Sequence, residues 1–159
     1  MSEDRKVAII TGSSQGLGAA IAKKLSERNV NTVINYSSNE DLANHTMEEC
    51  IKNGVNAITV KANVSNDDDC IKLVKETVNA FGKVDILVNN AGTTKFADHT
   101  KLEKLSDEDF INIYKVNVIG PYQMIRAVEP FMKKNGFGSV VNISSIAGKT
   151  GIGLSLIHI

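Results

Sequence analysis

Thr11-Gly12-Ser13-Ser14-Gln15-Gly16-Leu17-Gly18 sets three glycines where an apolar run gives way to helical spacing, and the chemistry such a turn supports is anion binding. Without side chains the backbone can approach a diphosphate, while the free N–H groups and dipole of a helix start favour negative charge. A nucleotide is the expected occupant, with Ser14, Gln15 and Leu17 beside Gly12, Gly16 and Gly18. The order is T-G-x-x-x-G-x-G and no Gly-Lys-Ser/Thr follows, which disfavours a Walker A phosphate loop. A glycine turn that serves only tight helix–sheet packing is the other reading.

Three further clusters follow apolar segments or sit within a helix. Asn89-Asn90-Ala91-Gly92 comes directly after an apolar run, where two amides and a glycine can satisfy backbone groups and shape a ligand wall; an ordinary Asn/Gly turn is the alternative. Asn142-Ile143-Ser144-Ser145-Ile146-Ala147-Gly148 brings hydroxyls to another strand end. Within a long helical stretch, the Asn117 carbonyl would normally accept from the N–H of position 121, which is proline and has none. That carbonyl is left without its usual partner and the helix should kink there, either for chemistry or for packing alone.

The elements that must position these residues alternate. Strands are expected at Lys6–Ile10, Asn31–Asn35, Ala57–Val60, Asp85–Val88 and Ser139–Ile143, and helices at Gln15–Arg28, Asn39–Lys52, Asp67–Phe81 and Asp107–Lys133. Asn66 and Ser106 precede acidic first turns, while Gly54 and Gly82 close two helices. This is an α/β pattern: a Rossmann-type, doubly wound parallel sheet, truncated after the fifth strand. Right-handed crossovers put every strand C-terminus, and any ligand, along one edge.

Bulk properties narrow the classes. The 159 residues are 42% hydrophobic, with 18 Lys and Arg against 18 Asp and Glu, enough for one globular domain and without the basic excess of a nucleic-acid binder. No run nears the roughly 18 apolar residues of a membrane span, and the charged start is unlike a signal peptide, so a cytoplasmic protein is expected. Cys50 and Cys70 lack C-x-x-C or Cys/His spacing and are expected to be reduced core thiols. No metal site is expected from His45, His99 or His158.

Together, the glycine turn, Asn89–Gly92, the serine pair and Val116-Asn117-Val118-Ile119-Gly120 make the chain resemble the short-chain dehydrogenases/reductases of the classical subfamily, from Lys6 to about Gly153. It looks most like reductases of the beta-ketoacyl-acyl-carrier-protein type, with Asn89 to Phe96 matching their Asn-Asn-Ala-Gly-Thr-Thr-Lys-Phe variants. The resemblance implies that Gly12, Gly16 and Gly18 hold a dinucleotide diphosphate and that Asn89 to Gly92 stabilise the central sheet beside the adenosine ribose, with Asn90, Ala91 and Gly92 binding the cofactor. Asn63-Val64 would match the family's Asp-Val pair at the adenine, the Asn63 amide oxygen accepting in place of Asp. Ser145, three residues before Gly148, would be the catalytic serine and Asn117 the tetrad asparagine, whose carbonyl holds a relay water.

NAD-specific members carry an acid after the second strand, where this chain reads Asn35-Tyr36-Ser37-Ser38. A carboxylate there would repel a 2′-phosphate, so Asn35 points to NADP, with NAD possible. The substrate implied is a small-molecule or acyl-carrier-protein-bound carbonyl compound, and the full-length protein is expected to be a homotetramer. Neither nucleic acid nor membrane is an expected partner.

The family's tyrosine would fall at position 158, which is His, and its lysine at position 162, past the last residue. Residues 1–153 therefore read as the N-terminal part of the domain, and 154–159 as a non-native tail: CTG-TCT-CTT-ATA-CAC-ATC, a transposase-adapter sequence, translates to Leu-Ser-Leu-Ile-His-Ile. A non-catalytic nucleotide-binding module ending here is the competing class. Sequencing the locus past the Gly153 codon decides between them. An in-frame Tyr-x-x-x-Lys is expected, and unrelated codons at the last six positions would contradict the adapter origin.

Overall fold

The computed structural model describes residues 5–97 and 101–146, apart from the side chain of Leu102. Five strands, β1 (Val7–Ile10), β2 (Asn31–Tyr36), β3 (Ala57–Lys61), β4 (Ile86–Asn89) and β5 (Ser139–Asn142), form one parallel sheet ordered β3-β2-β1-β4-β5. Helices α1 (Gly16–Ser26), α2 (Glu40–Lys52), α3 (Asp67–Phe81), α4 (Asp107–Tyr114) and α5 (Gly120–Asn135) lie between them, with a short 3-10 turn at Leu102–Lys104. The order reverses between β1 and β4, so a crevice opens beyond their carboxyl ends.

Side-chain alternation puts apolar residues of the inner strands on both faces of the sheet. Ile9, Val33, Val60 and Leu87 pack on one face with Leu73 of α3 and Met124 of α5. Ala8, Ile10, Ile34 and Val88 pack on the other with Ala22 of α1 and Ala43 and Cys50 of α2. Strands covered on both faces have no polar side to alternate with, whereas β5, at the edge, is exposed along its length. The doubly wound Rossmann-type layering is therefore present, and the five parallel strands expected from the sequence are observed in one sheet.

Boundaries that move do so by one or two residues, and the ends of the helices have visible causes. The Asn39 and Asn66 side chains accept from the N–H groups of Leu42 and Asp69, at 3.0 and 3.1 Å, and so stand as caps just outside α2 and α3. Ser106 and Asp109 form a reciprocal capping box at α4. Gly82, at φ +79°, ends α3 in the left-handed region. Asp85, expected to begin the fourth strand, instead precedes it: its buried carboxylate accepts from the Val7 N–H at 2.8 Å, extending the pairing through a side chain.

One helix was expected over Asp107–Lys133, and two are observed, joined by a π-helical turn at Lys115–Ile119. Pro121 supplies no N–H for the Asn117 carbonyl, and the Gly120 N–H reaches back five residues to Lys115. The expected kink is accommodated as an inserted residue in the ladder. Gly120 then lets α5 approach the Asn63–Val64 segment closely, since a Cβ there would meet Val64 Cγ2 at 3.0 Å.

Among the described residues no helix is long and apolar enough to cross a membrane, and no three His, Cys, Asp or Glu side chains gather as metal ligands. Cys50 and Cys70 are free thiols, both fully buried, and burial pushes the Cys70 thiol up to about 12. Neither should react with iodoacetamide at neutral pH until the chain is denatured. Mass spectrometry of labelled native and denatured protein checks this, and rapid native labelling of Cys70 would contradict its placement.

Candidate dinucleotide site

At the crevice the turn after β1 and the loop after β4 are locked together. The Thr11 hydroxyl accepts from the N–H groups of Asn90 and Ala91 at 2.9 and 3.0 Å, while the Asn90 amide donates to the carbonyls of Thr11 and Gly12 at 2.9 and 3.1 Å. Two glycines make this approach possible. A Cβ on Gly18 would lie 2.5 Å from Asn90 Nδ2 and 2.6 Å from the Gly12 carbonyl oxygen; one on Gly12, at φ +62°, would lie 2.9 Å from Ala91 Cα. Gly16 is different: nothing crowds it, and its φ of +60° is what calls for glycine.

The first turn of α1 carries no side-chain cap, unlike α2, α3 and α4, and Gln15 leads into it in extended conformation. Its first N–H groups are thus left for an anion from outside the chain. Above it lies a hollow of about 590 Å³ lined by Gly12, Ser14, Gln15, Gly16, Asn35–Asn39, Ala62–Val64, Asn90–Thr93, Asn112 and Val116. Asn90, Ala91 and Gly92 also wall a second hollow of about 550 Å³, which adds Asn89, Asn117, Val118, Pro121 and Asn142–Ser145. Two hollows with one shared wall suit the two halves of a dinucleotide, the second being where Ser145 and Asn117 come together. Among the described residues, none that lines either hollow is charged.

The structure brings most of the expected residues to these hollows and revises the parts that two of them play. Asn35 lines the first hollow, yet its side chain is committed inside: Oδ1 accepts from the Gly12 N–H at 3.0 Å, and Nδ2 donates to the Ala62 and Val60 carbonyls at 3.0 and 3.3 Å. It is not placed to meet a ribose phosphate. The Asn63 amide oxygen, expected to accept from adenine, already accepts from the N–H and hydroxyl of Ser65 at 3.1 and 2.9 Å. A local turn takes that acceptor because the residue two positions on offers two donors.

Leu17 and Gly18 belong to the glycine turn but not to the hollow's wall; Leu17 is exposed on α1 and Gly18 is buried against Asn90. The Asn117 amide pairs with the Thr93 backbone through both atoms, each at 2.8 Å, and so pins the loop after β4 to the π-helical turn. Across β4 and β5 the Asn89 amide donates to Asn142 Oδ1 at 2.8 Å. Gly148, His99, His158 and the tail 154–159 lie outside the described residues.

Sequence reasoning left several contributors without a role. Thr11, 1% exposed, is the acceptor on which the interlock turns. Ser13 bonds the Ile10 carbonyl at 2.7 Å and accepts from the Asn35 N–H at 3.0 Å, and Thr46 of α2 holds the Ser14 carbonyl at 3.1 Å. Gln123 of α5 donates to the Val64 carbonyl at 2.9 Å. A hydroxyl directly after a buried strand was the available signal for Thr11; Thr46 and Gln123 act across the fold and left none.

A family model described as short chain dehydrogenase matches residues 6–156. The chain belongs to that family. Among curated relatives, a 3-oxoacyl-[acyl-carrier-protein] reductase of Staphylococcus epidermidis is 36% identical over 92% of this chain and 59% of its own length. One of Synechocystis is 38% identical over 92% of this chain and 58% of its own length. The chain thus spans just under three fifths of the length of these relatives.

Among solved structures, a Burkholderia xenovorans protein described as a short-chain dehydrogenase/reductase superposes with a TM-score of 0.93 at 33% identity, over 99% of this chain and 66% of its own. An NAD+-bound xylitol dehydrogenase superposes at 0.87 with 27% identity, over 99% and 60%.

Gly18→Ala is the direct test of the interlock. The methyl group meets backbone as well as the Asn90 amide, so a loss of about 1–3 kcal/mol in stability is expected, together with loss of nucleotide binding. Urea denaturation and a dinucleotide titration measure both, and a variant with wild-type stability and binding would contradict the packing described.

Proposed function

We propose that this short-chain dehydrogenase is the nucleotide-binding part of an NAD(P)-dependent oxidoreductase that interconverts a carbonyl and an alcohol, the carbonyl borne by a small molecule or by an acyl-carrier-protein thioester. One observation carries the reading: the uncapped start of α1 and the glycine-made interlock open onto two uncharged hollows that share the Asn90–Gly92 wall. The family and its ketoacyl-reductase relatives support it.

The residues present fit the cofactor. Gly12 and Gly16 hold left-handed backbone conformations in the turn that would face the diphosphate, and Ser14 and Gln15 line the same hollow. When bound, the nicotinamide would give or take a hydride at the substrate carbon. Ser145 would hydrogen-bond the carbonyl oxygen and orient it, and Asn117 would keep the loop after β4 in place through Thr93. Residues 1–153 are proposed to be the native part and 154–159 the appended tail. Cytoplasmic placement and assembly as a homotetramer belong to the same proposal; the exposed apolar side chains Phe110, Ile111, Tyr114, Val118 and Tyr122 support self-association.

NADP(H) is the cofactor proposed, with the Ser37 and Ser38 hydroxyls at the rim as donors to a 2′-phosphate. NAD(H) is the second reading. It is favoured by the lack of any Lys or Arg among the residues lining the hollow and by Glu40 and Asp41, which with Ser38 and Asn39 border the adjoining depression.

Purified as written, the chain is expected to show no carbonyl reductase activity above background with either reduced cofactor. Acid catalysis worth roughly 10²- to 10⁴-fold has no tyrosine to supply it at position 158. In a gene product completed with Tyr-x-x-x-Lys, Ser145→Ala should lower kcat about 10²-fold or more while leaving cofactor affinity unchanged. Spectrophotometry at 340 nm with a ketone and β-ketoacyl thioester panel measures both. Turnover by the chain as written that vanishes in His158→Ala would overturn the assignment.

A further inference from the structure

We propose that Asn35 is a positioning residue that ties the glycine turn to the end of β3, setting dinucleotide affinity without reading the ribose 2′ position. The proposal rests on the dinucleotide reading of the first hollow. Asn35 is the penultimate residue of β2, a strand buried along its whole length, and is itself 2% exposed. Its amide oxygen takes the Gly12 N–H at 3.0 Å, and its amide nitrogen gives to the Ala62 and Val60 carbonyls at 3.0 and 3.3 Å. Its own backbone is doubly bonded to Ser13, N–H to hydroxyl at 3.0 Å and carbonyl to N–H at 2.9 Å.

The chemistry of these partners dictates an amide. A flipped side chain would set a donor against the Gly12 N–H and an acceptor against two carbonyls, so one orientation alone satisfies all three groups. Through it, Gly12, at the diphosphate end of the hollow, and Ala62, next to Asn63 and Val64 on its opposite wall, are held at a fixed separation. Carboxylate at this position would keep the Gly12 bond but press an anionic oxygen against the Ala62 and Val60 carbonyls. An ionised acid is therefore disfavoured by the strap itself, whichever cofactor binds. The expectation that a carboxylate at this position acts by repelling a 2′-phosphate is replaced: both cofactors should suffer alike.

The experiment titrates NADH and NADPH separately into the wild-type chain, Asn35→Asp and Asn35→Ala, with amide hydrogen exchange followed on each protein. Both variants should lose about tenfold or more in affinity for each cofactor, with the NADH-to-NADPH ratio held within about twofold of wild type. Exchange protection should fall at Gly12 and persist through Val7–Ile10.

A ratio shifted about tenfold in Asn35→Asp with NADH affinity intact would show that position 35 reads the 2′ charge and would overturn the proposal. So would unchanged affinities in both variants. Loss of protection across β1 in both would show a residue that holds the fold rather than the site, and would overturn it too. A wild-type chain that binds neither cofactor refutes the dinucleotide reading itself, a result distinct from wild-type binding with indifferent variants, which refutes the strap alone.

Discussion

Everything at this site depends on how closely two strand ends approach each other. β1 and β4 are neighbours in the sheet, and beyond them the Thr11–Gly12 backbone and the Asn90–Ala91 backbone meet at a separation that admits no Cβ on Gly12 or Gly18. The Thr11 hydroxyl and the Asn90 amide convert that proximity into four hydrogen bonds across nearly eighty residues of sequence. Polar groups buried this way must be paired, so the contact holds only in one arrangement. The start of α1 is aimed by that arrangement, and so is the wall shared by the two hollows.

The remaining polar contacts extend the same lock outward. Asn35 carries it to β3, Thr46 to α2, and Asn117, through Thr93, to the π-helical turn before α5. Each uses a short side chain to satisfy backbone groups that lie past the end of a strand and have no ladder partner. The crevice is thereby built from backbone and neutral amides. Anion binding at such a place relies on oriented N–H dipoles instead of on a lysine or arginine.

Local signals made much of this legible in the sequence. The apolar runs of β1, β2 and β4, the caps Asn39, Asn66 and Ser106, and the terminating Gly82 each declare themselves within a few residues. The glycine turn and Asn90 were found from type and position alone. What failed was side-chain direction and pairing. Asn35 and Asn63 line the first hollow, but their amides turn toward partners that only the assembled sheet and the local turn provide. The break between α4 and α5 was signalled by Pro121, whereas its form as a five-residue reach from Gly120 to Lys115 was not.

The central claim is that this interlocked edge is a dinucleotide site. Amide chemical shifts of the isotope-labelled chain, followed while NADH is added, test it most directly. The account predicts saturable shifts at Gly12, Gly16, Leu17 and Asn90–Gly92, with the outer ends of α2 and α3 unmoved. Shifts confined to residues away from the carboxyl edge of the sheet, or none at millimolar cofactor, would contradict it.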